Sequence, residues 1–203
     1  MRTTLLALSL SLLLPTTLLA QTATETADTE TTAEPSAIES QLALGEDAST
    51  EPKVGEQYNG EIIGDWQMRC IKAESGDDPC QMYQLMSDSE GTPVSEISIF
   101  RLPAGGQAQA GATIIVPLET SLPQQLTIQV DDNTPRRYPF AFCNPIGCFS
   151  RVGLVSAEIE SFKKGGAAKL SIVPALAPDQ TVDLVMSLKG FTAAYEKTSV
   201  AEN

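Results

Sequence analysis

The sequence contains no histidine. Histidine is the usual proton-transfer partner of serine and cysteine nucleophiles and a common ligand of zinc. Its absence excludes a serine–histidine–aspartate triad and a cysteine–histidine pair, and it removes most zinc chemistry. The four cysteines also lack the Cys-x-x-Cys spacing of thiol oxidoreductases. The composition therefore favours a protein without enzymatic activity, cofactor or metal.

Basic charge is also scarce, with 13 lysines and arginines against 26 aspartates and glutamates and a net charge of −13. Residues 21–61 hold ten acidic residues and one lysine, so this stretch carries −9 of that charge. The rest of the chain is only mildly acidic. Because phosphate contacts need a basic face, we expect no binding of nucleic acid.

Long apolar runs are missing except at the N-terminus, where residues 5–14 follow a positive start at Arg2. A membrane-spanning helix needs about 20 apolar residues, and Pro15 cuts this run short. Threonines and a terminal alanine at position 20 suit a cleavage site. The pattern predicts a secretory signal peptide over residues 1–20, with no membrane span after its removal. We therefore expect a periplasmic or secreted protein.

Residues 21–55 are rich in threonine, alanine, glutamate, serine and proline and have no aromatic residue. Such a stretch buries too little apolar surface to offset the entropy of ordering, so it is predicted to be a disordered acidic linker. Alternating apolar residues begin near Tyr58, and we place a folded domain at residues 56–197. Residues 198–203 are predicted to form a disordered tail.

Four cysteines in an exported chain are candidates for two disulfides, for which three pairings exist. Cys143 and Cys148 flank the turn sequence Asn-Pro-Ile-Gly, and Cys70 and Cys80 flank a polar loop. Cysteines placed symmetrically about a turn face each other across an antiparallel ladder. Loop-closure entropy would favour a crossed pairing, because it constrains a longer loop. Hairpin geometry favours the local pairs Cys70–Cys80 and Cys143–Cys148, and these are our prediction.

Short alternating or β-branched segments separated by turn residues recur along the domain. Residues 136–142 and 148–154 are predicted to be the two strands of the Cys143–Cys148 hairpin. One helix is predicted at residues 156–165, with Ser156 as N-cap, Gly165 as C-cap and lysines in the last turn. The fold class is therefore all-β: an antiparallel β-sandwich or partly open barrel of about eight short strands, with disulfide-stapled hairpins.

Two pairs of basic residues are candidates for a binding patch. They are Arg136 with Arg137 and Lys163 with Lys164. Together they would attract an acidic partner. Solvated faces are nevertheless the ordinary explanation of such pairs, because exposed charges gain little from each other in water.

Two pairs of acidic residues, Asp77–Asp78 and Asp131–Asp132, lie in predicted turns. Aspartate is common in turns because its side chain bonds to the nearby backbone. A pair of carboxylates across a cleft would instead suit a site that binds or hydrolyses cell-wall glycans. This carboxylate-dependent glycan site is the alternative function.

Several motifs resemble those of the invasion-associated locus B family of exported proteins from Gram-negative bacteria. They include Gly64-Asp65-Trp66, Pro79-Cys80-Gln81, Gly147-Cys148 and Ser187-Leu188-Lys189-Gly190. The resemblance covers residues 58–196. It implies a small exported cell-envelope protein, associated in some members with entry into host cells, and it supplies no catalytic residues. We therefore expect a non-enzymatic envelope or binding module whose partner is an envelope protein or a host-surface protein.

Overall fold

The computed structural model describes residues 51–201, together with Leu42 and Gly45. The predicted signal peptide, the predicted linker up to residue 50 apart from those two residues, and residues 202–203 lie outside the described residues. The described chain forms eleven β-strands and two α-helices, with a short 3-10 helix at Leu122–Gln124. None of its helices is long and apolar enough to cross a membrane.

The elements are short and follow one another closely. In chain order they are β1 Gln57–Ile63, β2 Trp66–Ile71, β3 Cys80–Ser87, β4 Pro93–Arg101, β5 Ala108–Val116, β6 Leu126–Val130, β7 Arg136–Tyr138, β8 Phe142–Asn144, β9 Gly147–Val155, α1 Ser156–Lys164, β10 Ala167–Ile172, β11 Val182–Ser187 and α2 Phe191–Lys197.

The strands form two antiparallel sheets. The larger has the order β1-β2-β3-β4-β5-β9-β8, and the smaller has the order β11-β10-β6-β7. Alternation decides which side chains lie between the sheets: in β2 every second residue from Trp66 is buried, and β6 repeats the pattern from Leu126. The buried side chains of both sheets belong to one hydrophobic core. The predicted all-β sandwich is confirmed, although it has more strands than the sequence suggested.

Three aromatic rings connect the large sheet to the helices. Phe191 of α2 contacts Trp66 of β2 edge-on, with 5.6 Å between ring centroids, and lies 5.4 Å from Phe162 of α1. Aromatic pairs favour such edge-on contacts, which add to the gain from burial. The prediction of a single helix is thus incomplete, because α2 is a full helix that begins after Gly190. Its seven residues depend on this packing, since so short a helix is marginal alone.

The N-terminus of α1 also differs from prediction. The N-cap is Val155 rather than Ser156, and the Glu158 carboxylate accepts the backbone N–H of Val155 at 3.0 Å. A glutamate at this position is the reciprocal half of a capping box: it satisfies the N–H of the N-cap residue, whereas a serine cap would accept an N–H of the first turn. The helix ends before Gly165, as predicted.

The predicted strand over residues 136–142 is wrong, because this segment belongs to both sheets. β7 pairs with β6 in the small sheet, whereas β8 pairs with β9 in the large one. Pro139 lies between them and has no N–H for a ladder. Its carbonyl accepts the Ser150 hydroxyl at 2.9 Å, which fixes the crossing point.

The structure contains both local disulfides. Cys70–Cys80 joins paired positions of β2 and β3, and Cys143–Cys148 joins paired positions of β8 and β9. The Cα–Cα distance is 4.0 Å in each. Each bond therefore closes its own hairpin.

The ordered domain extends beyond residues 56–197 at both ends. Glu56 donates its N–H to the Lys53 carbonyl, so the turn starts inside the predicted linker. At the other end Thr198 is buried, and Ser199 donates its N–H to the Cys80 carbonyl at 2.8 Å. Residues 198–201 are therefore not a disordered tail. Backbone hydrogen bonds, which leave no hydrophobic pattern in the sequence, hold them in place.

Candidate functional site

The solvent-facing side of the seven-stranded sheet is called the outer face here. Because alternate residues of each strand face the core, the remaining ones face outward, and the strand register sets them in rows. One row contains Gln67, Tyr83, Ser98, Thr113 and Arg151. The next row contains Leu85, Glu96, Ile115, Phe149 and Phe142.

The second of these rows, called the apolar row below, has only one charged member. Phe142 stacks on Phe149 with 4.7 Å between ring centroids and an angle of 11° between planes. Leu85 at the other end is 51% exposed. An antiparallel sheet with one solvated face normally shows polar side chains there. A cluster of exposed apolar side chains instead marks a surface for contact with another molecule.

A cavity of about 470 Å³ lies alongside the apolar row and is called the hairpin cavity. Leu85, Ile115, Leu118 and Ile146 contribute its apolar walls. Ile146 occupies the tip of the Cys143–Cys148 hairpin and is 77% exposed. The Asn144 side chain accepts the Ile146 N–H at 2.8 Å, as in an Asx turn. The disulfide and this turn together fix Ile146 beside the row.

Tyr83 of the neighbouring row stacks with Arg69, which lies opposite Gln81 in the row beyond it. The Arg69 guanidinium carbon lies 3.1 Å from the Tyr83 ring centroid, and the Tyr83 hydroxyl donates to Glu96 at 2.8 Å. Burial raises the pKa of Tyr83, and the hydrogen bond to Glu96 raises this pKa further. Tyr83 therefore stays a neutral donor at physiological pH, and the pair links the two rows.

A second cavity, of about 600 Å³, lies beside the Cys70–Cys80 bond and is called the disulfide cavity. Arg69 and Asp77 supply its charged groups, while Ile71, Phe100 and Val200 supply its large apolar ones. Residues 199–201, next to the start of β3, form part of its wall. Its volume is within the range that holds small ligands.

The four predicted basic residues do not form one patch. Arg136 lies 3.5 Å from a Glu158 oxygen, and Lys163 and Lys164 lie 3.3 Å and 3.8 Å from Glu160 oxygens. Acidic residues of α1 therefore neutralise three of the four charges. Arg137 follows Arg136 in β7, so it points to the opposite face of the small sheet.

Glu158 is the centre of a buried polar cluster between β7 and α1. Besides Arg136 and the Val155 N–H, it accepts a hydrogen bond from the Tyr138 hydroxyl. Burial, followed by the bond to Glu158, raises the pKa of Tyr138 well above its usual range. Because three donors already occupy the carboxylate, this cluster connects β7 to the helix and leaves little for a ligand.

One member of each predicted acidic pair, Asp78 or Asp131, holds neighbouring backbone in place. Asp78 accepts the Tyr58 hydroxyl at 2.6 Å and the Ala73 N–H at 2.8 Å, and these bonds lower the pKa of Asp78. Asp131 accepts the backbone N–H groups of Gly166 and Ala167, each at 3.1 Å. Across the described residues there is no group of three or more histidine, cysteine or acidic side chains that could hold a metal.

The model of the invasion-associated locus B protein family matches residues 66–199. The chain belongs to the invasion-associated locus B family. The match includes both disulfides, most of the outer face and the start of the segment that walls the disulfide cavity. The resemblance seen in the sequence motifs is thus confirmed.

Two relatives within the invasion-associated locus B group are invasion protein B homologs of Brucella abortus, from strain 2308 and from biovar 1 strain 9-941. Each is 26% identical over 137 residues, covering 68% of this chain and 77% of the relative. The crystal structure of invasion associated protein B from Bartonella henselae is also similar, with a TM-score of 0.54 and 22% identity. That match covers 68% of this chain and 92% of the Bartonella chain, and it shows the shared fold.

The invasion-associated locus B motifs of this chain meet in space. Asp65 donates its N–H to the Lys189 carbonyl at 3.1 Å, and its carboxylate accepts the Ser187 hydroxyl at 2.7 Å. That bond, together with the charge of Lys189, lowers the pKa of Asp65. These motif residues therefore join the β1–β2 turn to the turn before α2. They specify the fold rather than a reactive site.

Sequence reasoning missed the outer face. Its members come from strands far apart in the chain, and only the register of the folded sheet sets them side by side. One local signal was present in β3, where Tyr83 and Leu85 alternate with Met82, Gln84 and Met86. A strand with large apolar side chains on both faces indicates that its solvent-facing side contacts another molecule.

Proposed function

We propose that this protein is an exported, non-enzymatic binding module of the bacterial envelope that docks a protein partner on its apolar row. The partner is an envelope protein or a host-surface protein. The observation that carries the proposal is the exposure of large apolar side chains along the row and its hairpin cavity. They are Leu85, Leu118, Phe142 and Ile146, each between 42% and 77% exposed.

The composition of this surface supports a protein partner. Protein–protein interfaces have an apolar centre, with aromatic side chains enriched, and a charged rim. Phe142 and Phe149 lie within the row, and Arg151 lies beside it with its guanidinium carbon 5.3 Å from the Phe142 ring centroid. Glu119 lines the hairpin cavity and supplies acidic charge to the rim. The glycan alternative receives no such support, because Asp78 and Asp131 bond to backbone groups of the chain itself.

Export is supported by chemistry as well as by family. Two disulfides persist in oxidising compartments such as the periplasm and are rare in the cytosol. The predicted signal peptide provides the route, and the Brucella and Bartonella relatives are named invasion proteins. Fractionation of cells that express the full chain should place it in the periplasm or the medium without free thiols. Reduced protein retained in the cytoplasm would contradict export.

The docking proposal is tested by charge substitutions on the apolar row. Leu85→Asp combined with Ile146→Asp should lower the retention of the purified domain on isolated envelopes and on cultured host cells by at least tenfold. Each change removes an apolar contact of about 1.5–3 kcal/mol. Val185→Asp is the matched control, because Val185 is 63% exposed but belongs to the small sheet. Equal retention of all three proteins would refute the proposal.

A further inference from the structure

Arg69 is an arginine on the wall of the disulfide cavity. It belongs to none of the seven salt bridges between described residues. Its Nε is buried and has no hydrogen-bond partner among them. A buried donor without an acceptor costs about 1–3 kcal/mol. Such an atom beside a cavity is a reason to look for an external acceptor.

The position of Arg69 is nevertheless fixed. Its guanidinium stacks on the Tyr83 ring, and the Tyr83 hydroxyl is held by Glu96. Arginine is well suited to such a place because its planar head stacks on an aromatic ring and still donates hydrogen bonds along its edge. The cation therefore lines the disulfide cavity in one orientation, with little side-chain entropy left to lose when an anion binds.

The rest of the disulfide cavity suits an apolar group. Ile71, Phe100 and Val200 line it, and Ile71 and Val200 are each 46% exposed. The ring of Phe100 lies across Gly111, where an added Cβ would come within 2.5 Å of it. Because glycine at position 111 has no side chain, the Phe100 ring can lie flat on the sheet there. Gln57 and Gln81 also line the cavity.

We propose that the disulfide cavity binds a small organic monocarboxylate that carries an apolar group. Arg69 holds the carboxylate, and Ile71, Phe100 and Val200 contact the apolar part. We assign the ligand a single negative charge because Asp77 also lines the cavity. The carboxylate of Asp77 would repel anions of higher charge, such as phosphate esters, more strongly. Arginine pairs with a carboxylate through two parallel N–H···O bonds. This site does not depend on docking by the apolar row.

Two kinds of acid share this chemistry, so the test has two arms. N-acetylleucine represents the end of a peptide and octanoate represents a lipid-derived acid, and binding to the oxidised domain is measured by calorimetry. N-acetylleucinamide is the uncharged control. We expect at least one of the two acids to bind. If N-acetylleucine binds, N-acetylleucinamide should bind at least tenfold more weakly. The tighter acid identifies the source of the natural ligand.

Arg69→Gln should weaken binding of the acid at least tenfold. Arg151→Gln is the matched control, because Arg151 is an arginine of the same outer face that also lies over an aromatic ring, yet it does not line the cavity. It should bind the acid as the native protein does. Fluorescence of Trp66, the single tryptophan, verifies that each variant is folded.

A second variant tests the cavity independently, in case Arg69→Gln does not fold. Val200→Glu places a negative charge on an exposed part of the cavity wall, and we expect it to repel the acid by a similar factor. Absence of binding by either acid at millimolar concentrations would overturn the proposal. If N-acetylleucine binds, equal binding of its amide would also overturn the proposal. Unchanged affinity for the acid in both Val200→Glu and a folded Arg69→Gln would do the same.

Discussion

Gly64 and Gly190 lie against each other where the β1–β2 turn meets the turn before α2. Both have positive φ angles, +62° and +81°. A Cβ on Gly64 would lie 2.3 Å from the Lys189 carbonyl oxygen, and one on Gly190 would lie 2.4 Å from the Ile63 carbonyl oxygen. These glycines therefore serve two needs at once, a left-handed backbone and a backbone contact that no side chain permits.

Gly64→Ala should lower the free energy of unfolding by about 2–4 kcal/mol, combining the strain of a left-handed residue with displacement of packed backbone. Gly76→Ala is the control, because Gly76 has φ +79° but no atom within 4 Å of its added Cβ. It should lose only about 1–2 kcal/mol. Denaturant unfolding followed by Trp66 fluorescence measures both. Equal losses would show that the backbone contact contributes nothing.

Asp78 should make the stability depend on pH. Hydrogen bonds from the Tyr58 hydroxyl and then the Ala73 N–H lower its pKa below the ordinary 3.8. A carboxyl with a lowered folded pKa stabilises the protein above its ordinary pKa, and this gain is lost as pH falls through the folded pKa. Asp78→Asn should therefore lower the melting temperature at neutral pH, and the difference should shrink below about pH 4. A difference that is constant with pH would indicate lost packing instead.

At the scale of elements, β8 is the weakest part of the large sheet. It has three residues, it is an edge strand, and it pairs only with the first three residues of β9. Short strands gain little from their own hydrogen bonds. The Cys143–Cys148 bond holds this strand in place and with it Phe142 and the tip at Ile146. One end of the apolar row, at Phe142, and the Ile146 wall of the hairpin cavity thus depend on one covalent link.

Replacing Cys143 and Cys148 together with serine should lower the free energy of unfolding by about 2–4 kcal/mol. The Cys70–Cys80 bond should still form, because it closes a separate hairpin. Docking through the apolar row should weaken as Ile146 loses its position. Peptide mapping without reduction and denaturant unfolding test the first two expectations. Free thiols at Cys70 and Cys80 in the variant would show that the two hairpins form together.

Features that depend on neighbours in sequence could be predicted. Alternation within strands gave the sandwich, and the turns flanked by cysteines gave both disulfide pairs. The split of residues 136–142 between the sheets was missed although Pro139 is a local sign of it, because the apolar residues around it continue the alternation. Helix α2 was missed because it depends on Phe191 packing against Trp66 and Phe162.

At the scale of the molecule, the candidate site depends on distant partners. The apolar row combines β3, β4, β5, β9 and β8, and their order is a property of the fold. The basic residues were visible in the sequence, but not the pairing of Arg136 with Glu158 across two elements. The lack of a salt bridge at Arg69 among the described residues was hidden for the same reason. A single sequence shows which charges exist and not which of them remain free.

Backbone and side-chain hydrogen bonds hold the C-terminal segment, residues 199–201, against β3 and β4. Ser199 exchanges hydrogen bonds with Cys80 and accepts the Arg101 N–H, while Ala201 donates to the Arg101 carbonyl at 2.9 Å. Four such bonds, at about 0.5–1.5 kcal/mol each, predict a loss of about 2–6 kcal/mol when the chain ends at Thr198. A chain that ends at Ala201 keeps all four and should unfold as the full chain does.

The same truncation removes Val200 and with it part of the wall of the disulfide cavity. Binding of the carboxylate should therefore be lost, whereas retention on envelopes through the apolar row should persist, because Leu85, Phe142 and Ile146 lie outside that wall. Calorimetry and the retention assay on one preparation separate the two activities. If both were lost in a folded truncated protein, the two cavities would act as one site and the proposed division of the outer face would be wrong.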